Sequence, residues 1–173
     1  WQLTKVVQSA YLVFAIRPPG LTPGKVGACA RWRPDEFQRM VGLRPTSVFI
    51  VNLTTSLGLN DRNSSGSTFI LEDLQDGARR TLQALVGFKM VVMRDTPYFS
   101  YDIPTCLARS VRHSWYPGGS CEADRSSVLN AAVFESEQAG ARGIPNIYFI
   151  DETDRICQSD LCKPVQGKIL IYR

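Results

Sequence analysis

The alternation of apolar runs with helical stripes predicts an α/β fold, a three-layer α/β/α sandwich around a mostly parallel sheet. Short continuous apolar runs, YLVFAI at 11–16, SVFIV at 47–51, MVVM at 90–93 and IYFI at 147–150, have the length and composition of strands. Between the later runs lie segments whose apolar residues recur three and four apart, the spacing of a helix with one apolar face. Strands separated by helices pack as a parallel sheet with right-handed crossovers.

Taken in order, Leu3, Val6, Val7 and Ala10 predict a short amphipathic helix that runs without a turn into the strand Tyr11 to Ile16. A helix-to-strand reversal usually takes about two to six residues, so either this helix ends well before Ala10 or residues are missing at that point. Residues 17–28, RPPGLTPGKVGA, hold three prolines and three glycines and predict a surface loop. A helix is expected from Pro34, with Asp35 and Glu36 at the positive end of its dipole and Phe37, Met40 and Val41 as its apolar face. Arg44-Pro45 stops it, and Ser47 to Val51 makes an inner strand whose exit, NLTTSLGLNDRNSSGS, is polar.

Leu71, Leu74, Ala78, Leu82 and Leu85 predict a sheet-covering helix over 68–86, closed by Gly87 as a cap residue with positive φ. Met90 to Met93 follows as a buried inner strand that stops at Arg94 and opens into a proline-punctuated loop. Asp124 or Ser126 can cap a helix running to about Ala139, closed by Gly140. After the strand 147–150, Lys168 to Tyr172 is expected as a final short strand, in a hairpin with the Cys157 segment.

With 173 residues, 44% of them hydrophobic and 21% charged, one domain over 1–173 is the default. The net charge of +4 is spread along the chain, with single pairs such as Arg79-Arg80 as its densest spots. Without a polybasic block or interleaved aromatics, nucleic-acid binding is not expected. The longest apolar run, YLVFAI, is far short of the ~20 residues of a membrane helix. A start at Trp1, with neither an initiator Met nor a signal-like stretch, reads as a piece of something longer.

Five cysteines are present. Cys106 and Cys121 flank a loop with Pro117, Gly118 and Gly119, and Cys157 and Cys162 flank QSDL. Both arrangements favour disulfides, although about 15 connectivities are open with one thiol left over. A metal is not expected, because no C-x2-C spacing occurs and His113 is the only histidine. Disulfides place the domain outside the cytoplasm.

Loops after the carboxyl ends of the strands carry the chemistry in open α/β sheets. That directs attention to Asn52 and Thr54 after the strand 47–51, and to Asp95, Thr96, Asp102 and Cys106 after the strand 90–93. His113, beside Ser114 and Trp115, has no evident orienting acid and is read as an ordinary loop histidine. Asp151, Asp154 and Arg155 suit either a site or turn and capping chemistry.

RDTPYFSYDIPTCLA, followed by Cys121, IDETDRICQSDLC and KILIYR, resembles the SGNH-hydrolase-like domain at the C-terminus of bacterial acyltransferase family 3 proteins. WQLTKVVQSA and ACARWRPDEFQRMVGLRPTSVFIV resemble it too, in the right order. The resemblance implies the flavodoxin-like SGNH fold, with its first strand between 11–16 and 47–51. No run in this sequence supplies that strand, so it would precede Trp1, and the two flanking strands should not hydrogen-bond to each other. A segment outside the sequence or a neighbouring molecule would fill the space between them.

The resemblance also implies a serine in a GDS-type block ahead of Trp1 and Asp and His in a D-x-x-H block beyond Arg173, so that 1–173 would carry no catalytic triad. It favours the bridges Cys106–Cys121 and Cys157–Cys162. Where the family often has a cysteine beside the proline pair, here Pro18-Pro19, this chain has Arg17 and Gly20, which leaves Cys29 as an unpaired, buried thiol. GLND at 58–61 has the form of the superfamily's G-x-N-D block but lies six residues past SVFIVN, and is read as a turn.

The function implied is that of the extracytoplasmic domain of an O-acyltransferase. It would move acyl groups, acetyl first among them, to hydroxyls of a cell-envelope carbohydrate or glycolipid, with no cofactor and with a membrane acyltransferase domain in the same parent chain. Two alternatives stand beside it: a secreted SGNH-type carbohydrate esterase, told apart by a signal peptide upstream, and a non-catalytic accessory domain, told apart by flanks lacking GDS and D-x-x-H.

Overall fold

Three of the apolar runs form one parallel sheet. A computed structural model describes residues 4, 13–16, 23–52, 67–112, 121–167 and 169–171, with the side chains of 23–26, 29 and 67–70 excepted. β1 (Ser47–Val51), β2 (Lys89–Met93) and β4 (Ile147–Ile150) lie in the order β1-β2-β4. β2 is the inner strand, parallel to both neighbours, with Val48 opposite Met90 and Ile147, and Ile50 opposite Val92 and Phe149. These six share one face, because side chains alternate along a strand. Against that face pack α2 (Ser67–Ala84) and α5 (Ala131–Ala141).

The predicted stripe of α2 is the centre of the core: Leu74, Ala78 and Leu82 are wholly buried and Leu71 packs beside them. Burying each such side chain contributes roughly 1.5–3 kcal/mol, which is why this stripe outranks helix propensity in fixing the element. On the opposite sheet face Phe49, Val51 and Tyr148 are 63%, 52% and 52% exposed, so the helices α2 and α5 cover one side only. Among the described residues of that face only Val91 is buried.

The chain divides into two compact units, one of residues 1–95 and 131–150 and the other of 96–130 and 151–173. The second is built from α3 (Ile103–Arg112), β3 (Ala123–Asp124), α4 (Arg125–Val128), α6 (Thr153–Ile156), β5 (Cys157–Gln158), β6 (Leu161–Cys162), β7 (Val165–Gln166) and β8 (Ile169–Leu170). Its own core joins Phe99, Ile103 and Val128 to Cys157 and Cys162. Both implied disulfides are formed: Cys106–Cys121 with its Cα atoms 5.9 Å apart, and Cys157–Cys162 across the β5–β6 hairpin.

Several expectations are corrected. The helix expected from Pro34 is α1 (Pro23–Leu43), which starts eleven residues earlier and keeps Pro34 inside it. Pro23 is acceptable at the first helical position, where its missing N–H would be unpartnered anyway. Phe37 and Met40 do pack on the core, but Val41 is half exposed. Arg44, with φ of 48°, ends the helix before Pro45 as expected.

Residues 13–16 of the run Tyr11 to Ile16 form no strand. Phe14 and Ile16 are buried, yet the backbone is held by side chains rather than by a ladder. Being no strand, they make no ladder with β1, although Val13 N reaches Asn52 directly after it. Tyr11, Leu12 and the opening helix, apart from Thr4, lie outside the described residues.

The helix expected from Asp124 to Ala139 breaks at the extended Leu129 into α4 and α5. Gly140 is inside α5, and the positive φ falls instead on Gly143. Gly87 is not left-handed either; α2 closes through the i−3 bonds Leu85 N to Leu82 O and Val86 N to Gln83 O, at 3.2 and 3.3 Å. The last strand pairs with Val165–Gln166 and not with the Cys157 segment, which pairs with Leu161–Cys162. Gly167, at φ 61°, permits that shorter hairpin.

Candidate functional site

Asn52 is the first residue beyond β1, and Arg94 and Asp95 are the first two beyond β2. Parallel strands bring their carboxyl ends to one edge of the sheet, so these residues share it. Arg94 extends the ladder by one bond, its N–H donating to Ile150 O at 2.9 Å. Asn52 is 3% exposed and Asp95 9%, an unusual degree of burial for polar side chains.

What accompanies them comes from α5. Its buried residues Val133, Phe134, Glu137, Gly140 and Ala141 recur at helical spacing, so Glu137 stands on the core face of the helix. Glu137 is 2% exposed, and its Oε1 accepts a 2.9 Å hydrogen bond from Asn52 Nδ2. The other end of the Asn52 amide accepts from the Val13 N–H at 3.1 Å. Because a backbone N–H can only donate, Oδ1 must face Val13 and Nδ2 must face Glu137, which fixes the amide's orientation.

Burial pushes the Glu137 carboxyl up to about 7, against the Asn52 hydrogen bond, which lowers it; Asp95 adds to the rise and Arg94 opposes it. The Arg94 guanidinium lies 5.4 Å above the Phe134 ring, one helical turn before Glu137, and Phe134 meets Phe149 edge to face. The arrangement is an amide and a carboxyl in an apolar wall, with a second carboxyl and a guanidinium acting on it. A carboxyl that is half neutral near pH 7 can donate as well as accept.

The other predicted residues separate. Thr54, GLND at 58–61 and His113 lie outside the described residues, as does the Cys29 side chain. Asp102 belongs to the second unit, where its Oδ2 accepts from Thr105 N at 2.9 Å and begins α3. That bonding to Thr105 holds its carboxyl below the usual range. Thr96 is exposed, and Cys106 is in its disulfide. Asp151 closes a turn by accepting from Thr153 N, Asp154 pairs with Arg125 at 2.6 Å, and Arg155 pairs with Glu152 at 2.7 Å. Turn and surface ion-pair chemistry accounts for these bonds.

Glu137 was not legible as a site residue from its immediate neighbours, but a signal existed. It is the one acid between Phe134 and Ala141 on the apolar spacing of that helix. Thr81 was hidden in the same way: 1% exposed on α2, it accepts from Ala15 N through Oγ1 at 3.1 Å. No group of His, Cys, Asp and Glu among the described residues could hold a metal ion, and no described helix is long and apolar enough to cross a membrane.

A parallel α/β sheet with buried polar side chains at the carboxyl ends of its strands defines the general class. The family model described as the SGNH domain (fused to AT3 domains) matches residues 6–173, and the chain belongs to that family. No curated protein and no solved structure matches it.

Proposed function

We propose that the domain is the extracytoplasmic part of an O-acyltransferase and helps to place acyl groups, acetyl first among them, on hydroxyls of a cell-envelope carbohydrate or glycolipid. The observation that carries the reading is the Asn52, Asp95 and Glu137 cluster at the carboxyl ends of β1 and β2, in a chain whose family is fused to AT3 domains. The fused membrane domain would bring the acyl group, and a serine from the family's GDS block would take it as an ester. A His–Asp pair from the D-x-x-H block would then activate the acceptor hydroxyl. Asn52, Thr54 and Asp95 are assigned to the oxyanion and acceptor side, whereas Asp102, in the second unit, is read as the residue that begins α3. For Asn52 this is an indirect role, since both ends of its amide are engaged by Val13 and Glu137. The two disulfides support an oxidising compartment.

The test uses the intact protein in its host. Acyl esters released from envelope carbohydrate by mild alkali are measured by mass spectrometry for wild type, Asn52→Ala and Asp95→Asn, with hydrogen-exchange protection of residues 74–82 checked to show that the variants fold. Each variant should reduce the ester by about tenfold or more, a modest share of what an oxyanion-side contact can contribute. Unchanged ester in both variants overturns the assignment. Loss of acyl ester from added carbohydrate without any transfer would replace it with an esterase.

A further inference from the structure

Residues 13–16 are held in an unusual way. The segment buries Phe14 and Ile16 but has no strand partner among the described residues. Side chains of other elements bond most of its backbone, Val13 N to Asn52 Oδ1, Ala15 N to Thr81 Oγ1, Ala15 O to Arg80 at 2.6 Å and Ile16 O to Arg33 at 3.4 Å, beside Ile16 N to Phe14 O at 2.8 Å and a long 3.4 Å contact of Ala15 N with Gly77 O. The first of these holders is itself held, at 2.9 Å, by Glu137. We propose that Glu137 is a proton-operated positioning residue: in its neutral form it keeps Asn52 against the Val13 amide at the end of β1, and its ionisation loosens residues 13–16.

The hydrogen bond by itself favours the ionised form, because Asn52 Nδ2 donates more strongly to a carboxylate, so the bond is not what loosens the segment. The difference comes from burying the charge. From the end of β2, Arg94 and Asp95 act on Glu137 in opposite senses, and burial together with Asp95 outweighs Arg94 and the Asn52 bond. β1 offers only the neutral Asn52, and residues 13–16 carry no charged side chain. α2 offers no compensating cation: Arg79 donates to the carbonyls of Ala139 and Arg142 at 3.3 Å, and Arg80 lies 3.8 Å from Asp73 while bonding Ala15 O. Arg33 of α1 is turned to Ile16 O.

A carboxylate that is 2% exposed and incompletely compensated gains most by admitting water, and the neighbour easiest to displace is one without a ladder. β1 has its ladder to β2 and α2 its helical bonds in addition to the core; residues 13–16 have the core contacts of Phe14 and Ile16 but no ladder. The consequence for acyl transfer rests on the function proposed above, because Asn52 stands at the strand exit assigned to that chemistry. The latch itself does not depend on that function.

Hydrogen exchange followed by mass spectrometry on the intact protein, from pH 5.5 to 8.5 and corrected for intrinsic exchange rates, reads the latch directly. Acyl transfer is assayed on the same samples. Protection of the peptide covering 13–16 should fall by about tenfold or more across that range with a midpoint near 7, while protection of residues 74–82 in α2 stays constant. Glu137→Gln, neutral at every pH and still able to accept from Asn52, should keep the acid-form protection throughout, whereas Glu137→Ala should lose it throughout. Flat protection in wild type, or a Glu137→Gln protein that titrates like wild type, overturns the latch. Transfer activity with flat protection sinks the latch alone; titrating protection without transfer activity sinks the proposed function alone.

Discussion

A carboxyl inside an apolar wall makes stability depend on pH, and the sign follows from which state holds the proton more tightly. Burial raises Glu137 from 4.5 to about 7 in the folded chain, so the folded state binds its proton more tightly than the unfolded one. The stability due to this site is therefore full below about pH 4.5, drains away between about 4.5 and 7, and is gone above that, a loss on the order of 3 kcal/mol. Urea unfolding at pH 5 and pH 8 should show wild type losing most of that amount over the interval, and Glu137→Gln losing clearly less. Parallel behaviour of the two proteins would mean that Glu137 is solvated. Asp102 works with the opposite sign, because its bond to Thr105 lowers its carboxyl and the stabilisation disappears as pH falls. Being on the surface at the start of α3, it should matter little beyond that helix: Asp102→Ala should fray α3, and Asp102→Asn, which can still cap, should not.

At the scale of elements, close approach decides which glycines are replaceable. A Cβ on Gly140 would collide with the Gln75 carbonyl and stand 2.8 Å from the Ala78 Cβ, so α5 can lie against α2 only with glycine there. Gly77 does the same for the backbone of Ala15 and for Ile16. By contrast, a Cβ on Gly87 meets nothing within 4 Å, and its backbone is not left-handed. Gly140→Ala should then destabilise by about 1–3 kcal/mol despite the better helix propensity of alanine, while Gly87→Ala should be neutral or stabilise by up to about 1 kcal/mol. Thermal melts of the two variants check the contrast, and a harmless Gly140→Ala would mean that the helices are not in that contact. The sequence was legible where apolar pattern dominates: β1, β2, β4 and the stripe of α2 lie within a residue or two of expectation. It was illegible where a tertiary partner overrides a local signal. Pro23, Gly24 and Gly27 read as part of a surface loop, yet they open α1, whose Phe37 and Met40 pack on the core; Phe14 and Ile16 looked like strand residues, yet the backbone of 13–16 is bonded by Asn52, Thr81, Arg80 and Arg33. Asn52 and Asp95 could be read from their places after strands, whereas Glu137 could be recognised only once its helix had a buried face.

For the whole molecule, the two units differ in what holds them. The first has the sheet and a continuous core running from Phe14 to Ala141. The second has two- and four-residue strands and helices beside α3, a small core that includes both halves of the Cys157–Cys162 cystine, and both disulfides. Its 58 residues, from 35 in 96–130 and 23 in 151–173, fall in the size range where burial alone is marginal and cross-links become decisive. Closing the fifteen-residue span of Cys106–Cys121 should stabilise by about 3 kcal/mol, and the five-residue span of Cys157–Cys162 by about 2 kcal/mol, in the loop-entropy picture. Reduction should therefore act unevenly. With a reductant present, hydrogen exchange should accelerate across 96–112, 121–130 and 151–167 while the α2 core and β2 keep their protection, and the thermal transition should split in two. A single transition that moves as a whole, with protection lost equally from β2 and from α3, would show that the sheet unit depends on the cross-linked one for its fold.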